Sequence, residues 1–339
     1  MKTIPTKQAI GMVLCQDITK IVPGEFKGRA FKKGHIIKEE DVEELLKMGK
    51  ENIYVLELKE GEIHEEEAAI RISMAVSGDN ISFEEPYEGK VTLKSKIRGL
   101  LKVDTQLLYK VNSVDMITIA SLPNNFTVEP GQKIAGARVV PLIINEEAVK
   151  KVDEICDNKK VFNVKTYKKL RVGIIATGNE VYKGRIEDKF SPIILKKIQY
   201  FGAELVNITY SPDDIMFLKK QINEMLSNNA DLIILTGGMS VDADDLTPKA
   251  IKECSEQIIT YGAPVQPGNM FMMAYNNNSA IIGVPGAALY YKNTILDIVL
   301  PRIFAGEILT KDDFIKMGAG GFCLGCKICT YPNCYFGRY

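Results

Sequence analysis

The sequence has no excess of either charge: 43 Lys and Arg balance 43 Asp and Glu over 339 residues. No net field therefore draws the chain toward nucleic acid or an anionic lipid surface. It also lacks any uncharged apolar stretch near the roughly 18 residues needed to cross a bilayer. The opening MKTIPTKQAIGMVLCQDITK lacks the continuous apolar core of a secretory signal. The expectation is a cytoplasmic protein with no membrane and no nucleic-acid partner. Histidine is scarce, and both His35 and His64 are read as surface or turn residues rather than ligands. Neither the GxGxxG fingerprint nor the GxxxxGK(S/T) phosphate loop occurs, so ordinary dinucleotide and P-loop enzymes are disfavoured. An odd total of seven cysteines, four of them crowded into the tail, argues against a secreted disulfide scaffold.

What is present is apolar material for a substantial core, 46% of residues, in a chain long enough for two or three domains. Residues 1–80 read as a small α/β module. Glu39–Met48 has the apolar spacing of a short amphipathic helix, Ile53–Leu58 (IYVLEL) is strand-like, and Glu65–Val76 is helical. Residues 81–156 read as a β-rich module, with strands expected over Val111–Leu122 and Ala137–Ile144 and a helix over Asn145–Cys156. Residues 165–310 alternate strand and helix. Strands are expected at Leu170–Ala176, Glu204–Thr209, Asp231–Thr236 and Ala280–Val284. Helices are expected at Pro192–Phe201, Asp213–Leu226, Thr247–Cys254 and Leu289–Phe304. Such alternation builds a three-layer α/β domain, a parallel-type sheet with helices on both faces. Residues 311–339 read as a cysteine-rich tail.

In an open parallel sheet, ligands bind beyond the carboxyl ends of the strands. Three strands here run into glycine-bearing polar loops: Thr177-Gly178-Asn179-Glu180, Thr236-Gly237-Gly238-Met239-Ser240, and Pro285-Gly286-Ala287-Ala288. Each alone is consistent with a tight turn. Three at one edge of one sheet point to an anion site. Asp242, Asp244 and Asp245, after the double glycine, suit either capping of the next helix or oxygen ligation of Mg²⁺ beside a phosphate.

In this order, the three loops resemble the molybdopterin-binding (MoaB/Mog, MoeA-like) domain shared by molybdopterin molybdenumtransferases and adenylyltransferases. Gln266-Pro267-Gly268-Asn269-Met270 is similar to the Pro-Gly segment before that domain's last strand. The likeness covers about 140 residues of the 339. It implies a role in molybdenum cofactor biosynthesis, with molybdopterin or adenylylated molybdopterin as ligand, Mg²⁺ as metal and molybdate as co-substrate. It also implies a molybdoenzyme recipient and a homo-oligomer. By the same resemblance, Gly237, Gly238 and Ser240 would hold phosphate oxygens, and Glu180 would bond the pterin edge or help orient the metal. Thr177, Gly178, Thr236, Pro285 and Gly286 would complete the cofactor-binding set. Asp245, with Asp242, would hold Mg²⁺ and act in catalysis. The chain departs from the pattern at Asp242, where the family has glycine, and at Ala287-Ala288, where it has Asn-Pro. The family's Pro-Pro-Phe-Asp and Ser-Ala-Met-Asp-Gly runs have no counterpart, and a basic segment holding Lys27, Arg29, Lys32 and Lys33 follows the opening instead. That segment is read as a solvated loop. The expected function is a molybdenumtransferase-like enzyme. The alternatives are a non-catalytic carrier or sensor, an adenylyltransferase, or a redox or metal-delivery protein acting through the tail.

That tail reads Cys323-x2-Cys326-x2-Cys329-x4-Cys334. Two-residue gaps can turn successive thiolates toward one centre, zinc or an iron–sulfur cluster; a reversible disulfide is the competing reading.

Overall fold

The computed structural model describes residues 2–22, 24–55, 58–240 and 245–338. The chain divides into two compact units. The first comprises Met1–Ile97, Leu101–Leu122 and Val128–Val164; the second comprises Arg98–Leu100, Pro123–Thr127 and Lys165–Tyr339. Among the described residues, no helix is long and apolar enough to cross a membrane.

In the first unit, strand Lys2–Pro5 pairs antiparallel with Asn52–Val55, and Ile18–Val22 forms a hairpin with Phe26–Phe31. Helix Glu39–Lys47 closes a small core over them through Leu45, against Ile4, Leu14, Ile37 and Ile53. The basic segment is exposed at Lys27, Arg29 and Lys32 as expected, but Lys27 and Arg29 lie on a hairpin strand rather than in a loop. Arg29 pairs with Asp17 at 2.9 Å, and Lys33 with Glu66 at 2.8 Å. His64 is not a surface residue. It is 4% exposed and caps helix Glu65–Val76 by accepting from the Glu66 amide. Burial pushes its imidazole below the ordinary histidine range.

A four-stranded antiparallel sheet follows, in the order Ile81–Phe83, Lys90–Ser95, Lys133–Val139, Ile117–Ser121. Its alternating burial identifies a sheet with one face on a core. The Val111–Leu122 strand expected from sequence is wrong in its first half. Asp104 caps a helix over Thr105–Asn112, and the chain turns at Met116 (φ +65°) before the strand begins.

The second unit is built on a six-stranded sheet. Its order is Glu204–Ser211, Arg171–Thr177, Leu232–Thr236, Ser279–Val284, Met272–Asn276, Gln257–Tyr261. The first four strands are parallel and the last two antiparallel. Arg171–Thr177 and Leu232–Thr236 are buried nearly end to end, as strands covered on both faces must be. Successive side chains point to opposite faces. Val172, Ile174, Leu232, Ile234 and Ile282 enter one core with helices Phe190–Tyr200 and Ile295–Phe304. Ile175, Ile233, Leu235 and Ile281 enter the other, with helices Ile215–Ser227 and Thr247–Glu253. These are the three layers.

Two sequence expectations fail in this unit. The helix expected over Leu289–Phe304 is two helices, Ala287–Tyr290 and Ile295–Phe304, the second restarted by a Thr294/Asp297 capping box. The antiparallel pair at the sheet edge was not expected. The tail belongs to this unit's core, against which Cys323, Tyr331 and Cys334 pack.

Candidate functional site

Parallel register places the ends of strands Arg171–Thr177, Leu232–Thr236 and Ser279–Val284 side by side, since Ala176 pairs with Thr236 and Thr236 with Val284. All three loops therefore leave the sheet at one edge. There they border a cavity of about 700 Å³ whose lining includes Thr177, Gly178, Glu180, Thr236, Gly237, Gly238 and Asp245.

Two of these loops touch backbone to backbone. A Cβ at Gly237 would lie 2.1 Å from the Thr177 carbonyl oxygen, and Gly237 has φ +84°. Only glycine meets both demands. The Gly237 carbonyl is in turn fixed by the Thr247 hydroxyl, which donates to it at 2.9 Å. Met239 anchors the loop from below, 4% exposed and lying against Gly283 of the neighbouring strand. Tyr261 steadies its far end by donating to the Met239 carbonyl at 3.3 Å. Burial first, and the nearby Asp245 charge second, push the Tyr261 phenol above its ordinary value.

Thr177 and Thr236 line the cavity and are 7% and 1% exposed, yet their hydroxyls find no hydrogen-bond partner among the described residues. Buried hydroxyls are normally satisfied. A polar ligand in the cavity would satisfy this pair. The lining also carries five carboxylates, Glu180, Glu187, Asp188, Asp213 and Asp245, against one lysine, Lys189. Two of them have structural duties. Asp213 accepts from the Asn179 amide at 3.0 Å, and Asp188 accepts from the amides of Phe190 and Ser191 at 2.8 and 3.1 Å. So acid-rich a wall suits the amino and ring N–H donors of a pterin. It accepts a phosphate only with a cation between.

Ser240, Pro285 and Gly286 are not in the lining; Ser240 and Gly286 are exposed and Pro285 is buried, and Leu289 is what the third loop contributes. Asp242 lies outside the described residues. Asp188, Lys189, Phe190 and Asp213 line the cavity but went unnoticed in the sequence. For Asp213 a signal existed, because it lies two residues beyond strand Glu204–Ser211, whose carboxyl end is at the same edge. Among the tail cysteines, Cys323 and Cys334 are half-buried and Cys326 and Cys329 exposed, all as free thiols. Among the described residues, no three His, Cys, Asp or Glu side chains are already gathered to hold a metal ion.

A family model described as "Probable molybdopterin binding domain" matches residues 173–305, and one described as a domain of unknown function matches residues 3–57. A CinA-like protein of Mycobacterium marinum is 36% identical over 90 residues, 26% of this chain and 21% of the relative. A CinA-like protein of Mycobacterium tuberculosis is 33% identical over the same shares. The chain thus spans about a fifth of the length of these curated relatives. Among solved structures, the molybdopterin biosynthesis enzyme MoaB of Thermus thermophilus is 20% identical, with TM-score 0.36, over 41% of this chain and 98% of that one. The tungsten cofactor synthesizing protein MoaB of Pyrococcus furiosus is 21% identical, with TM-score 0.35, over 40% and 94%. Residues 173–305 thus match the family of probable molybdopterin binding domains.

Proposed function

We propose that the chain binds molybdopterin, free or adenylylated, in the cavity at the carboxyl edge of its parallel strands, and serves molybdenum cofactor biosynthesis as a molybdenumtransferase-like protein. The observation that carries this reading is the pair of buried hydroxyls of Thr177 and Thr236, without a partner among the described residues, inside a cavity framed by glycine loops. Glu180 and Asp213 would accept from the pterin amino edge. Asp245, near Gly238, would hold Mg²⁺ against the phosphate, leaving its other positions to phosphate and water oxygens. Molybdate and a recipient molybdoenzyme are then its partners, and the protein works as a homo-oligomer in the cytoplasm. A non-catalytic carrier is the second reading, favoured by Ala287-Ala288, which offers no polar side chain where the family has one.

Calorimetric titration of the anaerobically purified protein with molybdopterin tests this. Saturable binding is expected in Mg²⁺, weakened about tenfold or more by chelator or by Asp245→Asn, the size of one lost charge-assisted contact. Binding that ignores both magnesium and Asp245 removes that residue from the site. Turnover with molybdate and adenylylated ligand separates the enzyme from the carrier.

Thr236→Val gives a sharper signature. It keeps the shape and removes a hydroxyl that has no partner among the described residues, so stability without ligand should hold or rise. Ligand affinity should fall about five- to a hundredfold, the range of a buried hydrogen bond. A loss of stability with unchanged affinity would show that the hydroxyl serves the fold.

A further inference from the structure

The tail is a closed loop rather than a loose end. The Gly337 amide donates to the Gly320 carbonyl at 3.0 Å, so the chain departs and returns at one point. Both glycines have positive φ, and a Cβ on Gly320 would lie 2.5 Å from the Arg338 carbonyl oxygen. The outgoing limb is joined to the body of its unit: Gln266 donates to the Gly321 carbonyl, and Cys323 donates to the Gln266 carbonyl, both at 2.8 Å. The returning limb is pinned by Phe336, 1% exposed, and by the Tyr331 hydroxyl, which donates to the Asp297 carbonyl at 2.9 Å. Between the limbs, the Tyr335 hydroxyl donates to the Phe322 carbonyl at 2.6 Å. That bond ties the residue before the first cysteine to the residue after the last.

The loop's base is therefore built with care, and its tip is not. Cys326 and Cys329 are exposed, flanked by Leu324 and Ile328 at 68% and 81% exposure, and no helix or strand crosses residues 323–334. No apolar packing orders this tip. The tip carries two exposed free thiols instead, and the limbs carry two more, four within twelve positions. One sulfur already has an outer partner, since the Asn293 amide nitrogen lies 2.9 Å from the Cys329 Sγ. Donors of this kind stabilise and orient metal-bound thiolates.

We propose that the closed loop is a tetrathiolate site, in which Cys323, Cys326, Cys329 and Cys334 wrap one thiophilic centre, either a single Zn²⁺ or an iron–sulfur cluster. The base holds the limbs that carry Cys323 and Cys334 together, and the two tip thiols swing in as the centre binds. No three of the ligating groups are already gathered among the described residues, so binding has to draw the tip thiols to the base. Each ligating thiol releases its proton to solvent, so loading is favoured as pH rises. Cys15, Cys156 and Cys254 take no part. Each is buried, and burial raises each thiol above its ordinary value.

The test uses the full chain, reduced and stripped of metal under anaerobic conditions. Titration with Co²⁺ should give one tetrahedral thiolate chromophore per chain, displaced by Zn²⁺. Reconstitution with ferric iron, excess thiol reductant and sulfide in a parallel arm distinguishes cluster from ion by its visible absorbance and, after reduction, its paramagnetic signal. Cys329→Ser should abolish the chromophore, and Asn293→Ala should weaken binding about tenfold, as loss of an outer-shell partner does. An unchanged far-ultraviolet circular dichroism spectrum confirms that either variant is folded. Cobalt or zinc binding that survives Cys329→Ser places the metal elsewhere and overturns the proposal. So does failure of the reduced protein to take up cobalt, zinc or a cluster, or a stable disulfide among these four residues under reducing conditions.

Discussion

Gly237→Ala is expected to destabilise the second unit by roughly 2–6 kcal/mol and to remove ligand binding. The left-handed conformation costs an alanine about 1–3 kcal/mol. The new methyl would also lie 2.1 Å from the Thr177 carbonyl oxygen. That neighbour is the last residue of a buried strand, so it cannot rotate away as a side-chain tip would, and overpacking of this kind adds about 1–3 kcal/mol. To fit, the Thr177 and Thr236 loops must separate, which opens the cavity they jointly frame. Gly286→Ala is the control. Gly286 sits in the third loop at φ −52°, and a Cβ there would meet nothing within 4 Å, so stability should stay within about 0.5 kcal/mol. Urea unfolding and calorimetry on both variants decide the matter. Equal behaviour of the two would mean that the first two loops are not locked together.

That contrast also shows how far the site could be read in the sequence. All three loops were visible as glycines after apolar runs, because a strand buried on both faces is written as an unbroken string such as Val172–Ala176 or Leu232–Leu235. Their unequal roles were invisible. What makes Gly237 irreplaceable and Gly286 dispensable is the distance to another strand's carbonyl, which no local pattern encodes. Asp188 and Asp213 were missed for a related reason. Neither sits beside a glycine that ends a strand, and each also makes an ordinary structural hydrogen bond.

The errors in the fold have similarly local causes. Leu289–Tyr291 continued the apolar character of the final helix, and masked the capping box of Thr294 and Asp297 that restarts it. Strands Gln257–Tyr261 and Met272–Asn276 are short, and the second is rich in methionine. Neither carries a clear period of two, and pairing with Ser279–Val284 decides their conformation.

Arg302→Ala is expected to cost about 3–5 kcal/mol, the usual result of removing one partner from a buried ionic network. Arg302 sits in helix Ile295–Phe304 at 6% exposure. Its guanidinium reaches Glu307 and Asp313, both at 2.7 Å. Asp313 also accepts from the amide and hydroxyl of Thr310, each at 2.8 Å, capping helix Lys311–Lys316 at the entry to the tail. Burial alone would raise the Asp313 carboxyl. The Arg302 guanidinium and the Thr310 bonds outweigh it and hold the group below its ordinary value. A depressed folded-state value means the unfolded chain takes up the proton first as pH falls. This contribution is therefore full above about pH 4, the unfolded carboxyl's range, and is lost as pH drops through the folded value. The alanine variant has little of it left to lose. Urea midpoints of the two proteins should differ by a constant amount between neutral and mildly acidic pH and converge below about pH 4. A gap that stays constant into strong acid would show that the stability resides in the packing of the Arg302 stem and not in its charge.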